Sequence, residues 1–469
     1  MKIVVIGGGI SGLAAAWRAS RVRPEAEVLL LEASAEVGGK LRQGEVAGLR
    51  VDLGAESLLT RHPAGVGLLG ELDLTAELIA PQTLTAGIRA GGQTHGVPAG
   101  TMLGIPTGVE AARASGLFSD ATLRRIGQEL TEPDLPALTE DVAVGRLVRE
   151  RLGDEVAERL VEPLLGGVYA GRADEISLAA AMPLLFARLS RDGGSLVAAA
   201  EATVAEGRAK SAAGPVFVSL PGGLGRVPQA LVASGAFTTR TGVTVRGIRR
   251  LTDGGFELEC GPTIAPEPIR ADKVIVATPA GKAAALLRDV APGAAQELRA
   301  IETASVAIVT LAYRADALRG GAGLPAGSGL LVAPEEGLSV KAATFTSQKW
   351  PGTPPELVVL RASLGRAGEA VVLQREDAEL TRLVRSDLAR LVGITAAPID
   401  TLVTRWAGGL PQYAVGHPQR VASIRASLSE VPGLAACGAT YEGVGIPACI
   451  ESGYAAVAQL GLGASDRGE

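Results

Sequence analysis

The chain opens on an apolar strand, residues 2–7, unbroken after Lys2, as a strand buried on both faces requires. Residues 10–21 then carry Leu13, Ala14 and Trp17 on one side, the spacing of a helix. A second apolar run at 27–32, continuous in Val and Leu, predicts another buried strand. Strand, helix and strand within about 30 residues make a βαβ unit. From about residue 106 to 212 the period turns helical. Leu147, Val148, Leu152, Val156, Leu160 and Val161 recur at helical spacing, and glycine breaks are expected near Gly153 and Gly166. This stretch predicts an inserted helical lobe.

Strand patterns return beyond it. Residues 215–220 form one, and 242–249 and 256–260 flank the turn Asp253-Gly254-Gly255 as the arms of a hairpin. Residues 273–277 form a further short strand, and several strands separated by Gly/Pro loops lie between 304 and 361. Residues 377–391 are charged and amphipathic and predict a helix. The chain ends on a strand at 434–438, a glycine loop and a helix from about 447 to 460.

Composition narrows the classes. Hydrophobic residues make up 47% of the chain, which excludes a disordered one. Aromatic residues make up only 3%, so Ala, Val, Leu and Ile must build the core. The formal charge is -5 and no stretch is dominated by Lys and Arg, so no nucleic acid is expected as a partner. Cys260, Cys437 and Cys449 lack metal-ligand spacing and cannot form a disulfide framework. They read as reduced thiols of a cytoplasmic protein, and no metal is expected. Residues 1–17 are apolar after one Lys, but three glycines interrupt the run, unlike a signal peptide. No run approaches the ~18 apolar residues that cross a bilayer. Peripheral contact with the inner face of the cell membrane stays open.

Candidate chemistry begins at Gly7, Gly8, Gly9, Ile10, Ser11 and Gly12. Gly7, Gly9 and Gly12 supply the G-x-G-x-x-G spacing between a strand and a helix. Such a turn brings backbone N–H groups and a helix N-terminus to a pyrophosphate. Glu32 ends the second strand, followed by Ala33. Its carboxylate can accept both ribose hydroxyls and would repel a 2′-phosphate, which disfavours NADP. Residues 33–40 end in Gly38-Gly39-Lys40, which resembles the second glycine pair of the FAD-dependent amine oxidase superfamily. Lys40 stands where Arg is commoner there, keeping a positive charge for a phosphate without the guanidinium fork. Near the end of the chain, Pro447 suits the first turn of a helix. That helix could aim its N-terminus at the N1–C2=O edge of a flavin and stabilise the negative charge there on reduction.

Further segments carry a narrower resemblance. They are residues 162–171 (EPLLGGVYAG), 344–351 (TFTSQKWP), 404–406 (TRW), 410–417 (LPQYAVGH) and 442–447 (EGVGIP). With them the chain is similar, over nearly its whole length, to the bacterial FAD-dependent coproporphyrinogen III and protoporphyrinogen oxidases of haem synthesis. The resemblance implies an α/β fold. It has a Rossmann-like FAD-binding domain (1–95, 213–300 and 401–469), a mixed-sheet substrate domain (301–400) and the inserted helical lobe with the substrate pocket (96–212).

For this family FAD is the implied cofactor. Gly54, Ala55, Glu56 and Ser57 look like the loop under the flavin, and Val245 like the residue whose backbone pairs with adenine. Trp406, Val444, Gly445 and Ile446 look like neighbours of the isoalloxazine. The implied reaction is hydride transfer from a porphyrinogen to flavin N5 in three two-electron rounds, with dioxygen reduced to hydrogen peroxide. No acid/base pair or nucleophile stands out, and none is needed where the flavin carries the chemistry. Residues 98–106 resemble the Gram-positive type and lack the arginine that mitochondrial enzymes place near Met102, which points to coproporphyrinogen III. Its four propionates need cations. Arg61 and His62 are the candidates, with Lys349 a further one; the family often has Lys at the position of His62. A turn at Gly166 and Gly167 would let a flat macrocycle pass close to the backbone. Protoporphyrinogen IX oxidase is the alternative. Beyond it stand an amine or carotenoid oxidoreductase, marked by an aromatic pair facing the flavin or an apolar tunnel, and a non-catalytic flavoprotein. A transient contact with the next haem-pathway enzyme also stays open.

Overall fold

A computed structural model of the chain describes residues 1–132, 135–210, 214–318 and 324–462. Its first layer is a five-stranded parallel sheet in the order Leu434–Ala436, Lys273–Val276, Lys2–Ile6, Glu27–Leu31, Thr238–Arg240. The unbroken apolar runs follow from burial on both faces. Ile3, Val5, Val28, Leu30, Ile275 and Ala435 pack beneath the helices Ile10–Val22 and Ile446–Gln459. Val4, Ile6, Leu29, Leu31, Val274 and Val276 face the opposite way. There they meet the antiparallel strands Val245–Arg250, Phe256–Cys260 and Glu267–Ala271 and the helix Ala280–Leu287. Three distant stretches of chain therefore supply one sheet.

A second, seven-stranded sheet is mixed. Its order is Asp400–Pro411, Thr303–Arg314, Leu357–Leu364, Val340–Thr344, Gly329–Val332, Gly87–Ala90, Gln93–Gly96. All its pairs are antiparallel except Gly329–Val332 with Gly87–Ala90. One face is apolar: Val309, Leu311, Leu330, Val340, Ala343, Leu360 and Leu364 pack on Leu380, Val384 and Leu388 of the helix Asp377–Val392. The opposite face changes character along the sheet. At one end Ile88 and Leu331 join the core of the helical lobe, and at the other Ala312 and Val359 pack on Val46, Val51 and Leu53. Between them two rows cross three strands, Thr310–Arg361–Thr344 and Ile308–Ser363–Ala342. This middle carries the polar side chains Thr310, Thr344, Arg361 and Ser363 beside Ile308 and Ala342.

The helical lobe includes Val144–Leu152, Glu162–Tyr169, Pro183–Asp192 and Leu196–Lys210. Its expected end at residue 212 lies outside the described residues. Gly153 ends its helix at φ +97° as expected. The break expected near Gly166 is not there: Gly166 and Gly167 both lie inside Glu162–Tyr169, which stops at Ala170 in the left-handed region. Pro163 starts that helix in its first turn, and Leu164 and Leu165 just before the two glycines help outweigh their modest helix penalty.

Three other expectations shift. The strand at 215–220 is only Phe217–Val218, paired with Leu58–Leu59. Strands Gly87–Ala90 and Gln93–Gly96, placed by sequence in the first FAD-binding segment, hydrogen-bond into the mixed sheet. Asp400–Pro411, placed in the last FAD-binding segment, does the same. An alternating pattern marks a strand but does not name its partner.

The helices Ile10–Val22 and Ile446–Gln459 touch at Gly453, where an added Cβ would overlap the Ser11 carbonyl oxygen. Gly453→Ala should therefore force the pair apart and destabilise the fold by about 1–3 kcal/mol. Gly281→Ala, at an exposed helical position with open space around it, should change stability by less than about 1 kcal/mol. Urea unfolding of both variants checks this; equal midpoints would contradict the packing described.

Candidate functional site

Parallel strands send the chain out at one edge of the sheet, and two helices start there. Lys2–Ile6 leads through Gly7 and Gly8 into Ile10–Val22, and Leu434–Ala436 leads through a glycine loop into Ile446–Gln459. Their N-caps are Gly9 and Gly445, neither of which makes a side-chain capping bond. The first-turn N–H groups of both helices therefore remain available to an anion or a carbonyl at the carboxyl edge. Gly12 lets the first helix rise this close to the turn, since a Cβ there would overlap the Gly7 carbonyl oxygen.

Glu32 closes one end of this edge. Its carboxylate accepts hydrogen bonds from the Gly8 N–H (2.6 Å), the Ser34 N–H (2.7 Å) and the Ser34 hydroxyl (2.7 Å). Ala33 lies between these anchors. The Gly38 N–H donates to the Gly8 carbonyl at 2.7 Å, so the second glycine pair is clamped on the first. Gly242 and Val243 donate to the Ser34 and Glu32 carbonyls at 2.8 and 2.9 Å. The strand that starts at Val245 thus leaves from beside Glu32.

The other end is built around Lys40. Its ammonium donates to the Gly409 carbonyl at 2.6 Å, and its own carbonyl accepts the Ala55 N–H at 3.1 Å. Burial lowers its pKa, with the nearby Cys449 thiol opposing. The charge that the sequence offers to a phosphate at Lys40 here gives one donor to a carbonyl, which joins the second glycine pair to the strand Asp400–Pro411. Trp406 on that strand donates its ring N–H to the Leu53 carbonyl at 3.1 Å, just before Gly54. Val444, Gly445 and Ile446 form the N-terminal approach of the last helix.

Glu56 stands where the two sheets meet. Its carboxylate pairs with the Lys349 ammonium at 2.6 Å and the Arg361 guanidinium at 2.7 Å, and Arg361 also donates to the Gly54 carbonyl at 2.6 Å. Burial would raise the Glu56 pKa, but the charges and hydrogen bonds of Arg361 and Lys349 outweigh it and hold it at about 2. Lys349, the further candidate for a propionate, is thus already paired with Glu56. Its chain neighbourhood gave no sign of a partner 293 residues away. Next to this triad lies a cavity of about 260 Å³, lined by Gly54, Ala55, Glu56, Ser57 and the polar middle of the mixed sheet with Thr344, Arg361 and Ser363. Arg361 was missed in the sequence, although a lone charge inside the run LVVLRASL was a usable signal. Asp52 flanks the loop and accepts the Leu224 and Gly225 N–H groups at 2.9 and 3.0 Å; burial pushes its pKa up to about 6.

The remaining candidates fall elsewhere. His62 caps the helix Pro63–Glu71, and its imidazole meets the Glu451 carboxylate at 2.8 Å, so this side chain is already partnered. Arg61 is exposed. Gly167 lies on a helix rather than in a turn, yet the helix surface there is bare: a Cβ would meet nothing nearer than Leu331, at 3.7 Å. Among the described residues no group of three His, Cys, Asp or Glu side chains could hold a metal ion.

The family described as flavin containing amine oxidoreductase matches residues 10–461. The coproporphyrinogen III oxidase of Mycobacterium tuberculosis is 37% identical over 460 residues, covering 97% of this chain and 96% of that one. That of Bacillus subtilis is 33% identical over 470 residues, 97% of each chain. Human protoporphyrinogen oxidase is 32% identical over 494 residues, 98% of each. A crystal structure assigned as a protoporphyrinogen oxidase, from Exiguobacterium sp., matches with a TM-score of 0.85 at 31% identity over 98% of both chains. Putrescine oxidase with putrescine bound matches at 0.69 with 15% identity, over 98% of this chain and 99% of that one, a likeness of fold alone.

The Glu56 triad carries a pH signature. A carboxyl whose folded pKa lies below its ordinary 4.5 adds stability above that value and loses it as pH falls toward about 2. The gap corresponds to about 3 kcal/mol. Glu56→Gln also strands two cations, so it should cost at least about 3 kcal/mol at pH 7. The deficit should shrink as pH falls from 4.5 toward 2. Asp52, raised mainly by burial, is present in both proteins, and the Glu56 charge is the smallest of the causes acting on it, so most of its effect cancels in the comparison. Urea midpoints across that pH range test this, and a deficit independent of pH would contradict the triad.

Proposed function

The chain belongs to the family of flavin-containing amine oxidoreductases, and we propose that within it the protein oxidises coproporphyrinogen III to coproporphyrin III in haem synthesis, with FAD as cofactor and dioxygen as final electron acceptor. The observation that carries the reading is the full-length similarity to coproporphyrinogen III oxidases, at 30–37% identity for those of Mycobacterium, Bacillus and Staphylococcus. The cavity beside the Gly54 loop agrees with it. Its lining residues include no aromatic side chain, so the aromatic pair expected of an amine oxidoreductase is not among them.

The residues present fit the cofactor. Two glycine-capped helix N-termini point to one sheet edge with their first-turn N–H groups uncommitted to side-chain caps, a site for a pyrophosphate at one and for the flavin's N1–C2=O edge at the other. Glu32 has the carboxylate for the ribose hydroxyls, and Val245 offers a backbone for adenine. When bound, flavin supplies the acceptor for each two-electron oxidation of the macrocycle. The protein's part is to hold the substrate flat between the polar middle of the mixed sheet and the bare helix surface at Gly167. The protein is assigned to the cytoplasm on its reduced cysteines. No helix among the described residues is long and apolar enough to cross a membrane.

Protoporphyrinogen IX is the second reading, supported by the human relative. The segment 98–106 contains no arginine, and the extra propionates of coproporphyrinogen suit a wall that carries Thr344, Arg361 and Ser363 better than vinyl groups do. Porphyrin fluorescence with each porphyrinogen under equal oxygen should give a higher kcat/KM for coproporphyrinogen III. A higher value for protoporphyrinogen IX would overturn the choice.

The flavin should be non-covalent and leave the protein on acid precipitation. Glu32→Ala should weaken FAD binding about 10- to 100-fold, the range for a hydrogen-bonded charge. Titration of the apoprotein reads this directly, and an unchanged dissociation constant would remove Glu32 from the ribose.

A further inference from the structure

Lys341 belongs to none of the interactions assigned so far. On the strand Val340–Thr344, Val340 pairs with Leu364 and Ala342 with Ser363, so Lys341 is the extra residue of a bulge. Bulges re-aim a side chain, and here the ammonium turns toward the helix Glu162–Tyr169. Its side chain is buried, at 6% exposure. The one hydrogen-bond partner it reaches among the described residues is the Gly166 carbonyl, at 3.5 Å, a weak length. That carbonyl already accepts the Ala170 N–H at 3.0 Å.

A second cation stands beside it. The Arg366 guanidinium is 13% exposed, and its ion-pair partner Glu369 is 3.9 Å away and half-exposed. Glu162 also faces Arg366, but its carboxylate accepts the Ala173 N–H at 2.6 Å, and burial raises its pKa. Two like charges thus share a poorly hydrated wall where the nearest ion pair is the long, half-exposed one of Arg366 with Glu369 and no ion pair of Lys341 is seen among the described residues, an arrangement that costs free energy until an anion completes it. Burial and the Arg366 charge push the Lys341 pKa down to about 7, against Glu369, as that cost requires. The next residue, Ala342, lines the cavity with Arg361 and Ser363, and the helix opposite exposes Gly167 and Val168.

We propose that Lys341, with Arg366 beside it, forms a subsite for a carboxylate of the substrate and so favours the tetracarboxylate porphyrinogen over the dicarboxylate one. This rests on the porphyrinogen reading above. It differs from the plain role of a cation at a helix C-terminus, which would affect stability and every ligand alike.

The test compares the FAD-loaded protein with Lys341→Met and Lys341→Arg. Fluorescence titration measures binding of coproporphyrin III, protoporphyrin IX and the uncharged tetramethyl ester of coproporphyrin III. Lys341→Met should weaken coproporphyrin III binding about 10- to 100-fold, leave the ester unchanged and raise KM for coproporphyrinogen III more than it lowers kcat. Lys341→Arg should retain most of the affinity. Equal losses for acid and ester, or no loss, would overturn the subsite. Should Lys341→Met fail to fold, Arg366→Gln carries the same comparison. Wild-type protein inert toward coproporphyrinogen III would sink the functional reading and this inference with it. Active wild-type protein with an unaffected Lys341→Met variant would sink the inference alone.

Discussion

The Glu56 carboxylate is held between the Lys349 ammonium and the Arg361 guanidinium, at 2.6 and 2.7 Å, with only 13% of its side chain exposed. Charges buried to this degree are costly unless paired, so neither side can move without stranding the other. Glu56 comes from the loop beside the parallel sheet, while Lys349 and Arg361 come with the mixed sheet. The triad therefore fixes where one sheet's glycine edge lies relative to the other's polar face. The Lys40 bond to Gly409 and the Trp406 bond to Leu53 repeat the connection at the edge of the mixed sheet.

From that constraint the shape of the site follows. The mixed sheet gives one face to the helix Asp377–Val392 and keeps that face apolar. Its other face is apolar only at the ends, where the helical lobe and the chain at 46–53 cover it. The middle carries Thr310, Thr344, Arg361 and Ser363 in two cross-strand rows, and there the cavity lies. A flat, carboxylate-bearing molecule suits such a space: polar groups on one wall, a glycine helix surface near it, and a cofactor edge held in register by the ion triad.

Much of this was legible in the chain because it is local. The βαβ unit, the glycine turn, the hairpin and the last helix each lie within a few tens of residues, and their patterns name both element and neighbour. The parallel sheet was legible for a related reason, since strands buried on both faces leave unbroken apolar runs. What was not legible depends on distance. Glu56 and Arg361 are 305 residues apart, and nothing near either one names the other; Lys349 was for the same reason only a further propionate candidate, with its carboxylate partner unseen. Residues 87–90 and 400–411 fell within or at the edge of the FAD-binding ranges, and nothing local to them names the mixed sheet that their strands join. Gly166 and Gly167 misled differently: paired glycines weaken a helix, but Pro163 and the leucines just before them carry the helix past. Lys341 gave no signal because only the bulge makes its direction unusual.

The central claim is that this site passes electrons from a porphyrinogen to a bound flavin, and anaerobic mixing tests it most directly. Holoprotein mixed with coproporphyrinogen III in the absence of oxygen should lose its oxidised-flavin absorbance, and admitting oxygen should restore it with formation of hydrogen peroxide. Flavin that stays oxidised in the presence of excess coproporphyrinogen III, and of protoporphyrinogen IX, would contradict the account.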